Sequence, residues 1–315
     1  MLIQTLSEKI HKNIAQRIVG KDDIIDRVLI AVLCKGHVLL DDLPGTGKTT
    51  LAKALAASLD GKYRRVQFTP DLLPTDVTGV NIYNQKEQSF TFRQGAVFTN
   101  VLLADEINRA TPRTQSALLE CMEEQQVTVD GVTYPLSDPF FVIATQNPIE
   151  LQGTFPLPEA QIDRFLFCLR MGYPEREQEL EMLRRALSGI AELDSAASCE
   201  EIVQAQEALK KVRICTAVRE YLLDIAEATR TCDAVKTGIS PRGLLALADA
   251  SRGYAAIHGR DYVIPDDVKA VAPDVIAHRL ILKGASFADR LAEKRKLTQQ
   301  LLEQVPVPKD QIWNC

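Results

Sequence analysis

Residues 37–56 read HVLLDDLPGTGKTTLAKALA, and no other stretch of the chain says as much about its fold. An apolar run of strand length, 37–41, leads into a turn, Asp41-Asp42-Leu43-Pro44-Gly45-Thr46-Gly47-Lys48-Thr49, and a helical pattern over 48–59 begins at once. A glycine-bearing turn between a strand and a helix is the setting that a phosphate cradle needs. Gly45 and Gly47 let successive backbone N–H groups curl around an anion, and the helix start adds its unpaired N–H groups and the positive end of its dipole. Pro44, Gly45, Thr46, Gly47, Lys48, Thr49 and Thr50 are therefore the candidate cradle, with Lys48 as a point charge between terminal phosphates and the Thr49 hydroxyl as a ligand for Mg²⁺. The general pattern places glycine where this chain has Asp42. The bland alternative is a glycine-rich turn with a chance lysine.

Outward from this stretch, apolar runs at 65–68, 101–105, 140–145 and 165–169 alternate with helical patterns, which predicts a parallel α/β sheet. The runs 101–105 and 140–145 are almost continuously apolar, as strands covered on both faces must be. A helix is expected over 112–124, capped by Thr111 with Pro112 at its first position. Beyond about residue 175 strand signals give way to helical patterns at 175–187, 200–211, 216–231, 241–257 and 266–282. The small, polar stretch 188–198 reads as a linker. The expected architecture is thus an α/β nucleotide-binding core over 1–190 and an all-α lid over 191–315. The tail Val305-Pro306-Val307-Pro308 stops the last helix, and Phe287, Leu291, Leu301 and Leu302 fit one face of it.

The run VLLADE, 101–106, ends in two carboxylates. In open parallel sheets ligands bind at the carboxyl ends of strands, so Asp105 and Glu106 would face the phosphate turn. Asp105 suits an Mg²⁺ shell that keeps its waters, and Glu106 suits a base that orients and deprotonates the attacking water. Taken alone, such a pair equally suits a helix start. Asn147, after the 140–145 run, is placed to hydrogen-bond that water or the terminal phosphate; the alternative is a turn residue before Pro148. Arg164 lies just before the last core strand, where it suits either an arginine finger reaching a neighbouring subunit or a surface pair with Asp163. In GISPRG, from Gly238, Ser240 caps a helix and Arg242 sits in its first turn. A cation there opposes the helix dipole, which points to an anionic partner such as nucleotide phosphates.

The chain has 315 residues, 46% apolar and 25% charged, with a net charge of −5, so composition advertises no nucleic-acid partner. Seven cysteines without a CxxC pair read as reduced thiols of a cytoplasmic protein. No secretory leader opens the sequence, and the most apolar stretch, 28–40, is broken by Lys35, Gly36 and His37 and cannot span a bilayer.

Together these segments resemble the MoxR family of AAA+ ATPases, within the P-loop NTPases and close to the Mg-chelatase branch. The resemblance rests on the phosphate-turn stretch, FTPDLLPTDVTG from Phe68, FTFRQGAVFTNVLLADEINRATPRTQSALLECMEE from Phe90, PFFVIATQNPIELQGTFPLPEAQIDRFL from Pro139 and GISPRGLLALADASRGYAAIHGRDYVIPDDV from Gly238. It implies that Lys48 and Thr49 are Walker A residues, Asp105 and Glu106 the Walker B pair, Asn147 the first sensor, Arg164 the arginine finger and Arg242 the second sensor. It also implies that Ile18, Val19 and Gly20 flank adenine and that an acid at position 42 is the family's own variant. ATP/ADP with Mg²⁺ would be the cofactors. A hairpin over 127–134, turning at Asp130-Gly131, and a segment from about 76 to 93 resemble the family's two core insertions, which in a ring would line the axial face. The resemblance further implies a hexameric ring whose helical lid rotates on hydrolysis. Its activity would be chaperone-like maturation of a client protein, often with a partner bearing a von Willebrand factor A domain. Two other readings remain: a helicase-type motor, disfavoured because 127–134 contains no Lys or Arg, and a nucleotide-gated scaffold with little turnover.

Overall fold

The strand-like runs pair side by side, all parallel, in a single five-stranded sheet. The structure is a computed structural model that describes residues 2–43, 45–147, 153–187, 193–284 and 290–308. Helices α1 (Leu2–Ala15) and α2 (Asp22–Leu33) precede β1 (Val38–Asp41), and α3 (Lys48–Ser58) follows the phosphate turn. Next come β2 (Tyr63–Gln67), α4 (Pro74–Thr78), the hairpin β3 (Gly79–Asn84)–β4 (Ser89–Gln94), β5 (Val101–Asp105) and α5 (Pro112–Glu124). The hairpin β6 (Gln126–Val129)–β7 (Val132–Pro135), β8 (Phe141–Gln146), α6 (Glu159–Ile162) and β9 (Phe167–Leu169) complete the α/β part. The remainder holds α7 (Arg176–Leu187), α8 (Cys199–Leu209), α9 (Thr216–Thr231), β10 (Val235–Thr237), α10 (Pro241–Ile257), α11 (Pro265–Ile276), β11 (Ile281–Leu282) and α12 (Arg290–Gln304).

The sheet order is β2-β5-β8-β1-β9. Its side chains alternate between two cores. Val38, Leu40, Val101, Leu103, Phe141 and Ile143 face the core shared with α1, α2 and the helical region. Leu39, Leu102, Ala104, Val142 and Ala144 face the core beneath α5. Burial on both faces explains the unbroken apolar runs. The chain leaves the sheet at the β6–β7 hairpin through Asp130 (φ 50°) and Gly131 (φ 80°), the pair of positive φ values that a two-residue turn of type I′ requires.

The structure adds elements to the expected set, chief among them two amino-terminal helices and a small ribbon. Helix α1 buries Ile3, Leu6, Ile10 and Ile14 at helical spacing, and α2 buries Ile25, Val28 and Leu29; both pack against the helical region, α1 also against α3 and α2 also against β9. The apolar stretch 28–40 is therefore two elements, the end of α2 and β1, divided where Lys35 adopts φ 53°. The helical region also carries the antiparallel β10–β11 ribbon, because the helix expected to reach 282 ends at Ile276, tightens into a 3-10 turn over Ala277–Arg279 and turns extended at Leu280. The expected domain boundary at 190–191, the first part of the linker, Phe287 and Pro148 lie outside the described residues. No helix among the described residues is long and apolar enough to cross a membrane. The six described cysteines are unbonded.

His37, at the amino end of β1, ties the sheet together. Its Nδ1 accepts the Val142 N–H (3.1 Å), so its Nε2 carries the proton, donated to the Met122 carbonyl (3.1 Å). Burial holds the imidazole down at about 4. The unfolded chain takes up a proton near pH 6.5 that folded His37 refuses, so its contribution to stability is complete above that pH and declines as pH falls toward 4. Between pH 7 and pH 5 the loss from His37 is about 2 kcal/mol. Denaturant unfolding of His37→Gln at the two pH values should show a difference smaller by that amount than in wild type; an unchanged difference would contradict the buried neutral imidazole.

Candidate active site

The carboxyl ends of β1, β5 and β8 bring the predicted groups into one crevice. Gly45 (φ 82°) and Gly47 (φ 95°) both adopt left-handed backbone, so the loop curls as an anion cradle must. Gly47 then caps α3, whose first residues are Lys48, Thr49 and Thr50 and whose first-turn amides have no helical acceptor. Thr46 Oγ1 donates to the Leu43 carbonyl (3.2 Å), bracing the turn. Pro44 lies outside the described residues. The Lys48 ammonium donates to the Asp42 carbonyl (2.9 Å). Burial pulls that ammonium below the usual lysine range, and the charges of Asp42, Asp105, Glu106 and Asp41 oppose the shift.

Asp42 has a structural reason to replace glycine. Its side chain is buried, with Oδ1 accepting the Leu43 N–H (2.8 Å) and Oδ2 the Gly172 N–H (2.8 Å). It thereby staples the start of the cradle to the segment after β9. Asp41 is bound in turn by Gln146 (3.0 Å) and Arg170 (3.1 Å).

The acidic pair is anchored from both neighbouring strands. Thr145 Oγ1 donates to Asp105 Oδ1 (2.7 Å) and accepts the Glu106 N–H (2.8 Å). Arg65, on β2, donates to Asp105 Oδ2 (2.6 Å). Gln67, at the end of β2, donates to Glu106 Oε2 (2.6 Å), and Arg109 pairs with the same oxygen (3.1 Å). Glu106 itself sits at φ 55°, a strained backbone for a residue with a Cβ. Asn147 is buried at the tip of β8, beside this pair.

Arg164 and Arg242 lie elsewhere. Both bind one carboxylate, Glu123: Arg164 at 3.2 Å through Oε2, and Arg242 through Oε1. Glu123 is near the end of α5, beside Met122, which bonds His37 at the amino end of β1; the Leu166 N–H donates to the His37 carbonyl (2.8 Å). The two arginines therefore occupy the amino edge of the sheet, opposite the crevice. Asp163, the alternative partner for Arg164, is taken by the buried Arg279 (2.7 Å) and by Ser240 (3.0 Å), the cap of α10. Val19 and Gly20 are placed by α7: a Cβ on Gly20 would collide with Gln178.

The comparisons with known proteins agree with this geometry. A family described as "ATPase family associated with various cellular activities (AAA)" matches residues 37–167, and "AAA lid domain" matches 227–304. The chain is 41% identical to "Chaperone MoxR1" of Mycobacterium tuberculosis over 97% of its own length and 83% of that protein. It belongs to the MoxR family of AAA+ ATPases. An uncharacterised Bacillus subtilis relative, YeaC, is 48% identical over 97% of this chain and 96% of its own. The crystal structure of a Cytophaga hutchinsonii protein, provisionally described as an ATPase, superposes with a TM-score of 0.89 at 37% identity, covering 98% and 96% of the two chains. As a MoxR-family member the chain binds nucleotide and hydrolyses ATP.

Within this MoxR-family site, sequence reasoning missed Thr145, Arg65, Gln67 and Arg279. Thr145 and Gln67 share a signal that was available, since each is a polar residue near the carboxyl end of a strand paired with the Asp105 strand, whereas Arg65 sits in the middle of β2 opposite Leu103. Arg279 offered none, because its partner is 116 residues away. Thr145→Val removes a donor to Asp105 and leaves the Glu106 N–H unpaired, a penalty of about 1–3 kcal/mol. Carried into the hydrolytic step, that lowers kcat about ten- to hundredfold. Phosphate-release kinetics should show this fall with little change in KM for ATP, and Thr145→Ser should recover most of the rate. Full turnover in the valine variant would remove Thr145 from the site.

Proposed function

We propose that the chain couples Mg²⁺-dependent ATP hydrolysis to chaperone-like remodelling or maturation of a partner protein, as one subunit of a cytoplasmic ring. The nucleotide-binding core is residues 1–190 and the lid 191–315. The observation that carries the ring is the separation of the two halves of the site. Strands of three to six residues, rising about 3.3 Å per residue, put the edges of the sheet on the order of 10–20 Å apart. Arg164 and Arg242, at the amino edge, do not reach the crevice of their own chain. Lys48, Asp105, Glu106 and Asn147 form one half, and Arg164 and Arg242 complete it on a neighbouring copy. Such a head-to-tail contact generates a ring when its rotation closes, and a hexamer is the size the resemblance implies.

In this reading the cradle from Gly45 to Thr50 holds the phosphates, with Pro44 at its start, and Val19 and Gly20 flank adenine. The donor set fits Mg²⁺: a hydroxyl at Thr49, a carboxylate at Asp105 and room for water suit an ion that dehydrates reluctantly. Mg²⁺ would neutralise phosphate charge that the four acids around Lys48 otherwise repel. Glu106 takes the proton of the attacking water, and Asn147 orients that water. Arg164 and Arg242 exchange Glu123 for the phosphoryl group of the neighbour's ATP, where charge develops during transfer.

Because Asp163 ties Arg279 and the α10 cap to the segment bearing Arg164, the lid and the amino edge of the core move together. Displacement between copies then reaches the exposed hairpins β3–β4 and β6–β7, which touch through Asn81–Asp130 (2.7 Å) and a Phe92–Tyr134 stack. The chaperone role is that of the relative named Chaperone MoxR1; a von Willebrand factor A domain protein is the expected partner. Glu106→Gln should bind ATP with near wild-type affinity, accumulate assembled, ATP-loaded rings and lose turnover at least a hundredfold, the scale on which general-base catalysis contributes. Turnover within twofold of wild type, measured by phosphate release, would take the base role away from Glu106.

A further inference from the structure

Helix α7 is built inside out. None of its residues is buried. Its inward face is polar: Arg185 donates to Glu181 (2.9 Å) and to the carbonyls of Ala15 (2.8 Å) and Gln16 (2.9 Å), while Gln178 abuts Gly20. Its outward face carries Leu180, Leu183 and Leu187, one helical stripe, exposed at 51%, 61% and 88%. An amphipathic helix normally turns such a stripe toward a core. Contiguous apolar surface on the outside marks a contact. Glu175, just ahead of α7, and Glu177 and Glu179 in its amino half are all exposed, with Arg176 among them, so this end of the helix is net acidic.

The lid presents the complement. Between the turn after α8 and helices α9 and α10 lies a groove of about 670 Å³ with a floor of Leu222, Leu223, Leu244 and Leu245. Leu245 is 67% exposed. Five cationic side chains and one carboxylate, Asp249, line it. Glu207 and Asp261 pair with Lys210 and Arg213 at the rim and Asp249 with Arg252, so five cations against three carboxylates leave the rim net cationic.

We propose that the leucine stripe of α7 seats in the lid groove of the next copy of this chain, with its amino-terminal acids against the basic rim. Position favours this occupant. Helix α7 starts at the lip of the crevice, where Gly172 donates to Asp42 and Lys21 to the Tyr173 carbonyl. The groove starts beside Arg242, because Leu244 and Leu245 follow it on α10. When Arg164 and Arg242 of one copy approach the phosphates of another, groove and stripe are brought face to face. The inference rests on the trans reading of those arginines and adds the surface that holds the copies in register. Packing depends on both copies being present, since the two surfaces stay apart within one chain.

Sedimentation of Leu183→Glu and Leu245→Glu in Mg²⁺-ATP tests it. Both side chains are exposed, so thermal unfolding and binding of a fluorescent ADP should match wild type. Each variant alone should fail to assemble where wild type forms rings. Mixed, they should form a heterodimer, because the intact groove of the first accepts the intact helix of the second and the reverse contact is lost. Assembly of either variant as in wild type overturns the proposal, as when α7 serves a different protein, and so does a mixture that stays monomeric. The trans reading is scored separately by rescue of Arg164→Ala turnover on mixing with chains whose Arg164 is intact. Rescue alongside normal assembly of Leu183→Glu rejects this seat and keeps the trans arginines; a wild type that stays monomeric rejects both.

Discussion

The polarity of a parallel sheet governs everything else in this molecule. All five strands point the same way, so everything that follows a strand collects at one edge and everything that precedes one collects at the other. The cradle and the acids follow strands; Arg164 precedes β9 and is held by Glu123 from the end of α5. On the proposed reading, a chain built this way holds two halves of a phosphoryl-transfer site that a second copy brings together, and strand direction is what keeps them apart within one chain.

Electrostatics sharpen the same point. Lys48 stands among Asp41, Asp42, Asp105 and Glu106, three of which already pair with Arg170, Arg65 and Arg109, and a triphosphate brings more negative charge than one ammonium can offset. On the proposed reading a divalent cation would supply part of the balance and the neighbour's two guanidinium groups the rest, as charge develops on the leaving ADP. In the isolated chain the two guanidinium groups share the one carboxylate of Glu123, and Asp105 is held by Arg65, so on the proposed reading nucleotide binding exchanges partners.

Much of this was legible in the residues. The strand-turn-helix around Gly45 and Gly47, the apolar run ending in Asp105 and Glu106, and the Asp130-Gly131 turn are local patterns with local causes, and the structure forms each of them. Helices α1 and α2 were equally local but were masked: Ile3, Leu6, Ile10 and Ile14 have helical spacing, yet the apolar stretch 28–40 invited reading as one block. What sequence does not disclose is pairing at a distance. That Asp163 serves Arg279 and Ser240, that Arg164 and Arg242 share Glu123, and that Thr145 braces both acids all depend on strand order and helix placement, which no short window encodes. The ribbon β10–β11 belongs to the same class, since two- and three-residue strands carry too little pattern to announce themselves.

The division of the site between copies is tested most directly by mixing two inactive chains, Lys48→Ala, which keeps both arginines, and the double variant Arg164→Ala/Arg242→Ala, which keeps the crevice. Neither should hydrolyse ATP at an appreciable rate alone. An equal mixture should regain up to about a quarter of the wild-type rate, because in a head-to-tail ring that fraction of contacts joins an intact crevice to intact arginines. A mixture no more active than its components, in rings shown by sedimentation to contain both chains, would contradict a site shared between neighbours.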